Sequence, residues 1–340
     1  MSTLPATSDD RIVWDTWTTI YHMPTVTVAD EVGTFAALSG APRSNDELAA
    51  QLGVDARALQ IHLGVLAGLG YVEQRDGRWQ ATAAARTWLH PEAEGYYGPV
   101  LGTHQERNPL HAQLLATLRT GDRAEGHQSA ADEWERGEMP PGLAKVITAY
   151  MNAHSRAAAK AVAVQAVFGS VHRLLDVGGG SAIFPIELAR HQSHIDATVF
   201  EIPAICAEAD GYIAASGVAG RVRTRAGNMF TEDWPAGFDA HFLSNIFHDW
   251  SDATCRLLAK KSFAALPSGG RIVLHEMLMD DDGCGPLTTA CFSLLMLLGT
   301  KGRQYSLPEL RGFLEEAGFV DVTSSTTGGG YYSLVTGRKP

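Results

Sequence analysis

The stretch Ser244-Asn-Ile-Phe-His-Asp-Trp-Ser-Asp252 holds a side chain suited to moving a proton. Imidazole titrates near neutrality, so His248 can take a proton from a bound substrate. It follows an apolar run, 238–244, where a strand would end. A second run, 271–276, ends in Glu276. If Glu276 approaches His248, it would hold the ring by a hydrogen bond and favour its charged form. A lone histidine is more often structural than catalytic. His-Asp-Trp at one strand end, with an acid at the next, favours proton transfer.

A glycine turn offers a ligand site. In Arg173-Leu-Leu-Asp-Val-Gly-Gly-Gly-Ser-Ala-Ile-Phe184 a short apolar run reads as a buried strand, and 182–190 has apolar residues at helical spacing. The third small residue of a dinucleotide fingerprint is missing, and so is a P-loop lysine. Asp176 followed by Gly178 and Gly180 suits S-adenosylmethionine, which carries an ammonium and a positive sulfonium. The competing reading is a tight strand–helix turn in another α/β protein. Glu201 ends the next strand about 25 positions on, where nucleotide-binding folds place a ribose-binding acid. Otherwise it is a strand-end acid facing solvent. In Gly227-Asn-Met-Phe230, Met229 or Phe230 can sandwich an adenine and Asn228 can reach its exocyclic amine. Otherwise this is an apolar loop closing the core.

Elements that could position these residues alternate from Leu174 onward. Strands are expected at 173–177, 197–201, 222–226, 238–244, 271–276, 319–325 and 331–336, with helices at 184–191, 203–216, 252–266 and 307–317. A helix after most strands gives an α/β, mainly parallel, doubly wound sheet. The last two strands, joined at Gly328-Gly-Gly330, should pair antiparallel at one edge. Earlier, residues 11–38 look helical with a break at Pro24. Ser44 and Glu47 make a capping box, Asp55 caps a helix over 56–69, and Asp76-Gly77 marks a hairpin. Residues 90–141 carry a partial helix at 110–118 and an acidic, solvated stretch around Trp134. Residues 141–168 read as one long helical segment.

Helix, turn, helix and hairpin read as a winged helix, which raises a DNA-binding regulator as a rival. The second helix argues against it: its only cation is Arg57, beside Asp55, and groove binding needs side chains that reach phosphates and bases. The apolar surface of the N-terminal helices points to dimerisation instead. A net charge of −11 with no basic patch excludes a nucleic-acid partner. The longest apolar run, 291–298, is too short to span a bilayer. The polar first ten residues are no secretory signal, and four cysteines without a Cys-x-x-Cys pair read as reduced thiols in the cytoplasm.

The stretches 175–181, 227–230, 248–255 and 265–271, with Glu276, resemble the small-molecule O-methyltransferases of plant phenylpropanoid and bacterial antibiotic-tailoring metabolism. The resemblance spans nearly the whole chain. It implies a class I S-adenosylmethionine methyltransferase: a winged-helix dimerisation domain (1–100), a helical connector (101–168) and a Rossmann-like catalytic domain (169–340). It also implies a homodimer, a small-molecule acceptor and a role in secondary metabolism. By resemblance, His248 is the general base and Glu276 its orienting acid. The cofactor set is Asp176, Gly178, Gly180, Glu201, Asn228, Met229, Ser244, Trp250 and Ser155. Met151, Asn152, His154, Asp249, Met296 and Gln304 fall on the substrate side.

Two departures stand out. The family usually has Asp where Asn228 stands. Gln304 aligns with a second catalytic Glu, and a neutral Gln cannot stabilise an imidazolium as Glu can. His275 is unusual beside the acid, but strand alternation points it away from Glu276. Some relatives methylate the carbon next to a 2-oxo acid carbonyl with help from a divalent metal. Here His248, Asp249 and Glu276 would supply its ligands. Phenol or enol O-methylation, with no metal assigned, is the favoured reading.

Overall fold

The structure is a computed structural model that describes residues 9–105, 107–123, 130–328 and 330–340. Residues 1–8 of the polar start, residues 106 and 124–129 of the 90–141 stretch, and Gly329 of the glycine run lie outside the described residues. Two compact units form. One draws on residues within Met1–Arg11, Ser129–Leu278 and Leu307–Pro340, the other on residues within Ile12–Gln128 and Met279–Ser306.

In the second unit, Ser44 Oγ accepts the Glu47 N–H at 3.2 Å while Glu47 Oε2 accepts the Ser44 N–H at 2.9 Å, so the capping box forms. Asp55 caps the helix Ala56–Gly68 through the Ala58 N–H. Strands β1 (Val72–Arg75) and β2 (Arg78–Ala81) pair antiparallel around Asp76-Gly77, both at positive φ, as a two-residue turn of this hand requires. Near Pro24 the break comes earlier than expected. A 3-10 turn at Thr19–Tyr21 makes it, and Pro24 sits in the first turn of His22–Glu31, where its missing N–H costs nothing.

Helix Ala56–Gly68, the one a DNA-binding reading would lay in a groove, buries eight of its thirteen residues. Its cation Arg57 donates to the carbonyls of Lys301 and Gly302 at 2.9 and 2.6 Å. A recognition role is therefore excluded for this helix.

Leu287–Gly299 shows why boundaries at 100 and 168 differ from the observed grouping. Ten of its thirteen residues are buried, so the helix is apolar nearly all round and needs cover on every side. It finds cover in the core of Leu59, Leu63 and Leu66, to which it adds Cys291, Leu294, Leu297 and Leu298. A Cβ on Gly68 would stand 3.0 Å from Leu287, so only glycine allows this approach. The apolar run thus belongs with the N-terminal residues rather than with 169–340. No helix among the described residues is long and apolar enough to cross a membrane.

The first unit is built on a seven-stranded sheet: β3 (Arg173–Val177), β4 (Asp196–Glu201), β5 (Val222–Ala226), β6 (Ala240–Ser244), β7 (Arg271–Met277), β8 (Val320–Thr326) and β9 (Tyr332–Arg338). Their order is β5-β4-β3-β6-β7-β9-β8, with the first five parallel and β9 antiparallel between β7 and β8. Helices Ile183–His191, Pro203–Ala214, Asp252–Ala265 and Leu307–Ala317 alternate with them. Leu174, Leu175 and Val177 are buried, as strands covered on both faces must be. The order reverses between β3 and β6. In sheets of this kind that switch point opens a crevice at the carboxyl ends of the strands. The segment read as one helix over 141–168 is broken, into Pro141–His154, Arg156–Ala163 and a 3-10 turn, at Ser155.

Candidate active site

Four acids and hydroxyls arrive at this edge from four strands: Asp176 on β3, Glu201 on β4, Ser244 on β6 and Glu276 on β7. After β3 the chain turns through Gly178 and Gly180, both at positive φ. Every position of the turn is crowded. A Cβ on Gly180 would lie 2.8 Å from Met151 Sδ. One on Gly179, which sequence reasoning passed over, would lie 2.3 Å from Asp176 Oδ2. Met229 also reaches the turn, its Sδ 3.8 Å from where a Gly178 Cβ would stand.

Asp176 is fully buried and neither carboxylate oxygen has a hydrogen-bond partner. Burial pushes its pKa well above the usual carboxylate range, and nearby Glu201 pushes it further. Glu201 is 3% exposed. Burial carries its pKa up to about 7, against the pull of N–H donors from Ile202, Trp134 and Gly180. Two buried acids, one without a partner, beside a side-chain-free turn fit a cofactor that brings a cation and hydroxyls. S-Adenosylmethionine has both.

Trp134 was read as part of a solvated acidic stretch. In the structure its indole N–H points at Glu201, 3.2 Å from Oε1 and 3.3 Å from Oε2. Asn228 also departs from expectation. Its Nδ2 donates to the carbonyls of Glu135 at 3.0 Å and Trp134 at 3.4 Å, while Oδ1 accepts from Phe230 N–H at 2.8 Å and Thr231 N–H at 3.3 Å. Both lone pairs of Oδ1 are engaged, so no acceptor remains for an adenine amine. A tryptophan among glutamates gives no periodic signal, and the sequence offered none for this contact.

At the other side of the switch point, His248 sits in the 3-10 turn Phe247–Asp249 and is 4% exposed. Its Nδ1 stands 3.1 Å from Glu276 Oε2. Glu276 Oε1 accepts the N–H groups of Ile246 at 3.0 Å and Phe247 at 2.9 Å, which fixes the carboxylate to the turn that carries the histidine. Nε2 lies 3.6 Å from Asp249 Oδ1, too far for a hydrogen bond. Burial lifts Asp249 to about 6, opposed by His248 and helped by Glu276. Trp250 is buried and its ring meets Phe230 edge-on at 4.6 Å, joining this turn to the 227–230 loop.

The metal ligand set does not assemble. Glu276 and Asp249 face opposite ring nitrogens of His248, so the three cannot converge on one ion. Among the described residues no group of three or more His, Cys, Asp or Glu could hold a metal.

His154 stacks on Tyr150 at 5.7 Å and meets Ser155 Oγ at 3.2 Å. Burial, then the nearby His248, brings its pKa down to about 4. Asn152 and Ser155 are buried beside it. Met296 and Gln304 belong to the other unit, where the Gln304 N–H donates to Ser293 Oγ at 3.1 Å. His275 is a core histidine. It is fully buried, shares a 2.8 Å hydrogen bond with Ser244 Oγ and stacks on Tyr332 at 4.5 Å. Burial lowers its pKa to about 3.

An O-methyltransferase domain model matches residues 113–320. A 3-hydroxy-5-methyl-1-naphthoate 3-O-methyltransferase from Streptomyces sahachiroi is 34% identical over 322 residues, covering 94% of this chain and 92% of its own. An L-tyrosine C(3)-methyltransferase from Streptomyces lavendulae is 26% identical over 298 residues, 86% and 81% of the two chains. The crystal structure of an O-methyltransferase family 2 protein from Planctomyces limnophilus, in complex with apigenin, matches with a TM-score of 0.85 over 100% of both chains. At 24% identity that match speaks for the fold alone.

Proposed function

The chain belongs to the O-methyltransferase domain family and is an S-adenosylmethionine-dependent methyltransferase; from that premise we propose that it methylates a phenolic hydroxyl of a small aromatic molecule, with His248 as general base. The observation that carries this reading is the 3.1 Å approach of Glu276 to His248 Nδ1. Glu276 holds the proton on Nδ1 and leaves Nε2 to take the acceptor's proton. It also stabilises the imidazolium that results, which the neutral Gln304 could not do. A bound general base contributes about 10²–10⁴-fold, and alignment of the reactants about 7–11 kcal/mol. S-Adenosylmethionine, when bound, supplies the methyl group on a positive sulfur. Asp176, Gly178, Gly180, Glu201, Met229, Ser244, Ser155 and Trp250 form its site, with Asp176 facing positive charge and Glu201 the ribose hydroxyls. Met151, Asn152, His154 and Asp249 lie on the acceptor side.

The acceptor class follows the Streptomyces naphthoate methyltransferase, whose named substrate carries a ring hydroxyl. The reading places the enzyme in bacterial antibiotic tailoring, in the cytoplasm. It also makes the chain a homodimer through the winged-helix residues within Ile12–Gln128, with the catalytic residues on the unit that carries the seven-stranded sheet. Exposed Ile12, Val13 and Ile20 on the N-terminal helices support that interface. The test is mass spectrometry of products from a panel of hydroxynaphthoates, simpler phenols and 2-oxo acids. A product one methyl heavier, with the methyl on oxygen, is expected from the phenols. Methylation at carbon of a 2-oxo acid would overturn the acceptor class.

A further inference from the structure

We propose that the Ala130–Arg136 helix latches the cofactor site shut, and that the ribose must displace the Trp134 indole from Glu201 to bind. This rests on the reading above, because it takes Glu201 as the ribose acceptor.

The Trp134 N–H lies almost equally far from both Glu201 oxygens, at 3.2 and 3.3 Å. It therefore sits astride the edge that a pair of ribose hydroxyls would bridge. A carboxylate has about four lone-pair sites. The Ile202 N–H already takes one on Oε2 at 2.7 Å, and the Gly180 backbone donates as well. Indole and ribose diol thus compete for the same edge.

The helix is anchored at its C-terminal turn. Asn228 Nδ2 donates to the carbonyls of Trp134 and Glu135 in the last turn, the former also accepting the Gly137 N–H at 3.1 Å. A carboxylate at position 228 would have no hydrogen to give them. Gly137, at φ +76°, closes the turn, and a Cβ there would lie 2.9 Å from Asn228 Nδ2. The anchor and the turn are fitted to each other. The indole body rests against Met139, Ile202 and Ile205, so it keeps an apolar seat while closed.

If only the open state binds, apparent affinity is reduced by the open fraction. The test is titration and stopped-flow binding of S-adenosylhomocysteine to wild type, Trp134→Phe and Asn228→Ala, with hydrogen exchange read across the chain. Trp134→Phe keeps the ring's packing and removes the N–H. It should bind about two- to tenfold tighter, the range for one hydrogen bond, with the gain in the association rate. Asn228→Ala should shift the same way, and amides of 131–137 should exchange faster in both unliganded variants. Unchanged protection elsewhere shows that the variants fold. Equal or weaker binding by Trp134→Phe overturns the latch and makes the indole a wall of the site. No binding by any of the three proteins overturns the cofactor reading and the latch with it.

Discussion

Glu276 and Asp176 end strands of one sheet, two places apart, and both are buried. Glu276 accepts two backbone N–H groups and stands 3.1 Å from His248. Asp176 has no hydrogen-bond partner on either oxygen, and burial pushes its pKa well above the usual carboxylate range. One oxygen of the first carboxylate is held by its own chain and the other faces the histidine, whereas both oxygens of the second wait for charge from outside. The proton-handling side is therefore preorganised, while the cofactor side is strained until a ligand arrives.

Variants on the two sides should behave in opposite ways. His248→Ala should cut kcat by about 10²–10⁴ while S-adenosylhomocysteine affinity holds. Affinity falling in step with rate would mean that the two sides are not separable. Glu276→Gln places an amide group opposite Nδ1–H, and turnover should fall about 10–100-fold. The acidic limb should also move: without the anion the imidazolium is less favoured, so the rise of kcat with pH shifts to lower pH. Asp176→Asn should do the reverse to stability. An isosteric neutral group removes a buried acid, so the unliganded protein melts higher, while S-adenosylhomocysteine affinity drops about 10–100-fold with the lost charge-assisted bond. Unaltered affinity would show that no cation sits beside position 176.

The smallest effect is a pH slope. Burial pushes Glu201 from the ordinary glutamate value of 4.5 up to about 7. Between those values the native state holds a proton that the unfolded chain has released, so stability falls as pH rises through the window. The loss amounts to about 1.4 kcal/mol per unit at most. Glu201→Gln should flatten this slope in melts from about pH 5 to about pH 8. A slope unchanged by the substitution would assign it to Asp176 and Asp249 instead.

The proton-handling side was legible because its parts are contiguous. His248 and Glu276 each close an apolar run, and period-two alternation alone turns His275 away from Glu276, as found. The glycine turn and the strands from 173 onward were legible for the same reason, their boundaries shifting by one or two residues. Contacts between distant stretches were not. Trp134 on Glu201 and Asn228 on Glu135 link residues 67 and 93 positions apart, with no pattern in either stretch to announce them. The Leu287–Gly299 helix failed for another reason. Helical periodicity needs a polar face, and a helix buried all round has none to show.

That helix constrains how the gene can be cut. A fragment ending before residue 129 would keep Leu59, Leu63 and Leu66 but expose the trough that Cys291, Leu294, Leu297 and Leu298 fill. Its complement would carry those side chains naked into water. Neither piece is a module, so swapping front halves between relatives should yield aggregates unless residues 279–306 travel with them. Ancestry has to be inherited here in one length.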